Sequence, residues 1–155
     1  MKKILTAIAA TFIISLNGQT TFNPRTGDVE MDAHLKSINV KAQTDLPAFK
    51  NEVSVGFQIP KPKIEILLQT MAPAEVYMAA EIANIIGKPV EIVVNTYTTN
   101  KNKGWGEIAK DLGIKPGSKE FHEMKARFKN KGNKGNMKGQ GKSGSKEKGK
   151  GKGKK

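Results

Sequence analysis

The sequence predicts a mainly α fold: a small helical bundle with a C-terminal helix-turn-helix-like pair, followed by a disordered tail. Three observations carry that expectation. Apolar residues recur at helical spacing between proline and glycine punctuation, most clearly from Pro73 through "AEVYMAAEIANII" to Gly87. A second periodic stretch, "GWGEIAKDLGIKPGSKEFHEMKARF", is interrupted by a turn centred on Pro116 and Gly117. Beyond Phe128 the only apolar residue is Met137, and lysine and glycine dominate.

The chain of 155 residues opens on "MKKILTAIAATFIISLNGQ". Lys2 and Lys3 form a positive start, Ile4 to Leu16 an apolar run, and Asn17-Gly18-Gln19 a cleavage zone, so residues 1–18 read as a secretory signal peptide. The run is shorter than the roughly 20 apolar residues a membrane-spanning helix needs. The mature chain is therefore expected to lack a transmembrane helix, to begin at Gln19, and to be exported to the periplasm or the exterior. With no cysteine in the sequence, a cysteine-linked lipid anchor, disulfides and thiolate metal sites are excluded.

Residues 19–30, "QTTFNPRTGDVE", are polar and turn-rich and are expected to form a flexible leader ahead of a helical domain at 31–128. Within that domain "MDAHLKSINVKA" is weakly helical. "DLPAFKNEVSVGFQI" places Phe49, Val53 and Phe57 on one face behind Asp45 as a cap, although Val53, Val55, Phe57 and Ile59 also alternate as in a strand. "KIEILLQTM" gives a short helix through Ile64, Leu67, Leu68 and Met71. Residues 73–86 form the central helix, polar only at Glu81 and Asn84 between Val76 and Ile86, so most of its circumference must be covered. "PVEIVVNTY" is β-branched, yet its short connections and the lack of a partner strand favour a helix.

Trp105, Ile108, Ala109 and Leu112 fall at i, i+3, i+4 and i+7, one face of a helix. Gly113 stops it, Ile114 packs back on its last turn, and Ser118 caps a second helix with Phe121, Met124 and Phe128 as its apolar stripe. The core of this motif is Trp105, Ile108, Leu112 and Phe121. As a DNA-reading module the second helix would present Lys119, Glu120, His122 and Glu123 to a groove. Two carboxylates facing phosphates oppose that use, and a packing role is expected; nucleic-acid binding by the pair stands as the alternative function. Gly104 and Gly106 could offer backbone N–H groups to an anion beside Lys101 and Lys103, but a tight loop with Trp105 packed is the simpler expectation.

"GWGEIAKDLGIKPGSKEFHEMK" resembles the C-terminal signature of a family of small exported bacterial proteins of uncharacterised function, of the form GWGxIAKxLGIKPGSxEFH. The resemblance reaches upstream through "MAPAEVYMAAEIANIIGKPVEIVVNTY", covering roughly residues 60–125. It implies a mainly helical domain behind a signal peptide and brings no activity with it. The Lys-Gly tail is not part of the pattern.

Of the net charge of +13, residues 129–155 hold +10, from eleven lysines against Glu147. Lys2 and Lys3 hold +2, leaving +1 for residues 19–128. The tail is too poor in apolar residues to offset the entropy of ordering it, so disorder is expected. Lys129, Lys131, Lys134, Lys138, Lys142, Lys146, Lys148, Lys150, Lys152, Lys154 and Lys155 are the candidate polyanion-binding residues, for lipopolysaccharide phosphates, acidic glycans or nucleic acid. The two histidines, His34 and His122, make no metal set, and neither cofactor nor catalytic group is expected.

Overall fold

A computed structural model describes the backbone of residues 22–136 and the side chains of residues 22–130. These residues form seven helices, and no strand occurs among them: α1 (Val29–Thr44), α2 (Leu46–Phe57), α3 (Lys61–Leu68), α4 (Pro73–Ile86), α5 (Val90–Thr99), α6 (Trp105–Asp111) and α7 (Lys119–Asn136).

Helix α4 is the axle of the bundle and packs against α1, α2, α3, α5 and α7. Its sequence dictates this: Ala74, Val76 to Ala83 are all buried, which takes neighbours on every side. Pro73 starts it, and Gly87 ends it at φ +63°, a conformation that costs glycine nothing. Val90, Val93 and Tyr97 face the core from α5, so helical spacing prevails over β-branched composition there. In α2 the Asp45 carboxylate accepts from the Ala48 amide at 2.9 Å, and Phe49 and Val53 are buried; the alternation through Val55 is not used, and Val55 is exposed.

Two boundaries differ from expectation. The segment before α1 is not a loose leader from Phe22 onward. Pro24 and Thr26 are buried, and the Thr26 amide and hydroxyl both donate to Asp32 Oδ1, at 2.9 and 2.6 Å. Helix α7 also continues past Phe128 to Asn136, so residues 129–136 are helical rather than disordered. Met124 and Phe128 anchor the helix on α1 and α4, and once a helix is nucleated each further residue adds a hydrogen bond at little extra cost. The expected signal peptide (1–18), the start of the expected leader and residues 137–155 of the tail lie outside the described residues. No described helix is long and apolar enough to cross a membrane.

Candidate functional site

The Gly-Trp-Gly segment is where an N-terminal strap, residues 22–28, meets α6. The Trp105 amide donates to Pro24 O at 2.9 Å and the Gly106 amide to Arg25 O at 3.1 Å. A Cβ on Gly104 would sit 2.5 Å from Arg25 Cβ and 2.6 Å from Arg25 O, and one on Gly106 2.6 Å from Thr26 O. The glycines thus let two backbones touch, and the Trp105 and Gly106 amides donate to the strap's carbonyls rather than to an anion. A tight loop with Trp105 packed is what forms; Trp105 is 3% exposed.

Beside this junction the strap, α4, α5 and the loop before α6 enclose a cleft of about 490 Å³. Tyr97 stacks on Trp105 at 4.8 Å between centroids and 5° between planes. The Tyr97 hydroxyl donates to Glu75 Oε1, while Glu75 Oε2 accepts from the Ala72 amide at 2.7 Å. That second bond is half of a capping box, since alanine at the N-cap has no oxygen to reciprocate. Burial, joined by the hydrogen bond and charge of Glu75, pushes the Tyr97 hydroxyl above its ordinary 10.0, so it stays a donor. Arg25, Lys101 and Lys103 are the cations around this cleft. Arg25 Nη2 donates to Asn102 O at 2.8 Å, Lys103 Nζ pairs with Asp111 at 2.8 Å, and Lys101 Nζ lies 5.9 Å from the centre of the Tyr97 ring.

The strap is tied to α7 as well. Asp28 caps α1 by accepting from the Met31 amide at 3.0 Å and pairs with Lys125 at 2.6 Å. Burial works to raise Asp28, but Lys125 and the nearby amides outweigh it and hold the carboxyl below 3.8; Lys125 is raised in return.

The expected C-terminal pair is present as two helices around a turn. Ile114 donates to Ala109 O at 2.8 Å across Gly113, whose φ is +100°, and the Ser118 hydroxyl accepts from the Phe121 amide at 3.1 Å. Trp105 and Ile108 are buried, whereas Leu112 and Phe121 are only half-buried. The turn at Gly113 gives the interior position to Ile114, and the second helix buries Met124 and Phe128 instead. The two helices find their main contacts elsewhere: α6 lies chiefly on α5, and α7 on α1 and α4. A mainly apolar cleft of about 380 Å³, lined by Ala109, Ile114, Phe121 and Met124 among others, separates the two. Lys119 and His122 are exposed at the start of α7, and Glu123 is bonded to Arg127 at 2.7 Å.

One interior group escaped sequence reasoning in its partner, though not in its oddity. Glu81 on α4 is fully buried, and Arg127 of α7 reaches to within 3.6 Å of it. Tyr77 and His34 each meet the Phe128 ring edge to face, and burial, then the charges of Glu81 and Glu52, raise the Tyr77 hydroxyl. An isolated carboxylate on an otherwise apolar helix signals a cationic partner; nothing in the sequence says which.

Comparison with known proteins adds no relative. No family model, curated protein or solved structure matches the chain. Of the polyanion candidates, Lys129 is exposed, Lys131 and Lys134 lie in the last turns of α7, and Lys138, Lys142, Lys146, Lys148, Lys150, Lys152, Lys154 and Lys155 fall outside the described residues. Among the described residues no His, Cys, Asp and Glu group could hold a metal ion.

Proposed function

We propose that the chain is an exported, non-enzymatic binding or scaffolding protein of the cell envelope or exterior, whose cationic C-terminus engages polyanions. The observation that carries this is the charge layout: +10 in residues 129–155 against +1 in residues 19–128. Helix α7 fits the role, because Met124 and Phe128 fix it to the bundle and the chain then runs on to Asn136 with its lysines. The apolar run after Lys2 and Lys3 and the resemblance of residues 60–125 to a family of small exported proteins support export.

Lysines spaced along a glycine-rich segment bind by neutralising phosphate, sulfate or carboxylate charges, without a fixed geometry. No aromatic residue occurs from Lys129 onward, so bases find no stacking platform and little preference among nucleic-acid sequences is expected. The test compares the mature chain with a variant carrying glutamine at the eight lysines after Asn136, on immobilised heparin, lipopolysaccharide vesicles and duplex DNA. Loss of binding to duplex DNA, and much weaker retention on heparin and lipopolysaccharide, is expected with the fold intact. A variant that still holds duplex DNA at moderate salt overturns the proposal.

A further inference from the structure

We infer that the cleft between the strap, α4 and α5 is a binding site for an acidic sugar unit, giving the folded domain a ligand of its own. In this the ligand class rests on the acidic-glycan arm of the polyanion reading. The cleft itself, lined by Arg25, Glu75, Tyr97, Lys101, Lys103 and Trp105, belongs to the folded domain and not to the tail.

The side chains present two opposite demands. Glu75 Oε1 already accepts from Tyr97 and Oε2 from Ala72, and a carboxylate oxygen has a second lone pair to offer. Those free lone pairs call for donors such as ring hydroxyls. Arg25 and Lys101 call for an anion, and their contacts to Asn102 O and the Tyr97 ring hold them around the cleft, while Lys103 beside them is already paired with Asp111. A bare phosphate satisfies the cations but meets the Glu75 charge. A neutral sugar satisfies Glu75 but leaves Arg25 and Lys101 without a counter-charge, Lys103 being paired with Asp111. A hydroxylated ring bearing a carboxylate satisfies both sets, in a cleft that the buried Tyr97–Trp105 stack helps to line. A volume of about 490 Å³ accommodates such a unit, within the roughly 300–1,000 Å³ usual for small-ligand sites.

Trp105 is the only tryptophan in the chain, so its fluorescence reports on the cleft alone. The full mature chain is titrated with a hyaluronan tetrasaccharide, which alternates glucuronate and N-acetylglucosamine, and in parallel with maltotetraose and inorganic phosphate. A saturable change in Trp105 emission is expected for the hyaluronan fragment and not for the other two. The double variant K101A/K103A, both exposed positions, should weaken the fragment about tenfold, while K36A/K61A, with the same charge change away from the cleft, should not. An equal response to maltotetraose or phosphate, or an unchanged affinity in K101A/K103A, overturns the assignment. Failure here with heparin, lipopolysaccharide and DNA still held by the tail removes the cleft alone; the reverse result removes the tail alone.

Discussion

Gly106→Ala adds one carbon to the first turn of α6, a change that ordinarily favours folding by up to about 0.5–1 kcal/mol because alanine loses less backbone freedom in a helix. The strap reverses the expected sign. The added Cβ would lie 2.6 Å from Thr26 O, far inside contact distance, and Thr26 cannot slide away freely while its amide and hydroxyl are held by Asp32 at 2.9 and 2.6 Å. Separating the backbones breaks the Trp105–Pro24 and Gly106–Arg25 hydrogen bonds, worth about 0.5–1.5 kcal/mol each. Set against the helix preference, the net is a destabilisation of about 1–2 kcal/mol. Gly56 in α2 is the control: a Cβ there meets nothing within 4 Å, so Gly56→Ala should stabilise by about 0.5–1 kcal/mol. Urea melts of the two variants read the difference, and hydrogen exchange at the Trp105 amide should accelerate only in Gly106→Ala. If Gly106→Ala stabilises as Gly56→Ala does, the strap is not docked on α6 as described.

Trp105→Ala should cost about 3–5 kcal/mol by removing a buried ring and its stack on Tyr97, a large part of the roughly 5–15 kcal/mol that holds a domain; an unshifted denaturation midpoint would place Trp105 on the surface. Arg127→Ala leaves the buried Glu81 carboxylate without its nearest cation and should cost about 2 kcal/mol, read from the same melts, with no change contradicting the link between α4 and α7. Asp28→Asn keeps a good helix cap but loses the charge that Lys125 binds. Because the folded Asp28 carboxyl is lowered, its contribution is present above 3.8 and fades as pH falls through the lower folded value. The stability gap between wild type and Asp28→Asn should therefore be widest near neutrality and close in acid, whereas a gap that does not vary with pH contradicts the pair.

What the sequence made legible follows from where the information is written. The bounds of α4 were readable because Pro73 and the Gly87–Pro89 pair are local signals, and its central place because few positions between Val76 and Ile86 tolerate water. Helix α5 was harder: Val90, Ile92 and Val94 suit a strand, and only the short connections and missing partner decided for a helix. The docked strap could not be read, since it is held by main-chain carbonyls of Pro24 and Arg25 that any residue would carry. The usable hint was two glycines bracketing a tryptophan at a helix start, where nothing in the helix itself asks for them. The end of α7 is not legible in the sequence because the apolar stripe stops at Phe128, while the backbone ladder runs on without side-chain instruction. As for the cleft, Lys101, Lys103 and Trp105 are neighbours in sequence, but Glu75 and Arg25 come from distant segments that only the fold assembles.

The salt dependence of duplex-DNA binding bears most directly on a polyanion-binding C-terminus. The mature chain and a chain ending at Asn136 are titrated across a salt series, and the logarithm of affinity is plotted against that of salt. For the full chain the slope should approach about −0.9 per phosphate contact, reaching about −7 if all eight lysines after Asn136 engage, while the shortened chain remains folded and binds too weakly to yield a slope. A shortened chain with the same affinity and slope, or a full chain indifferent to salt, would contradict it.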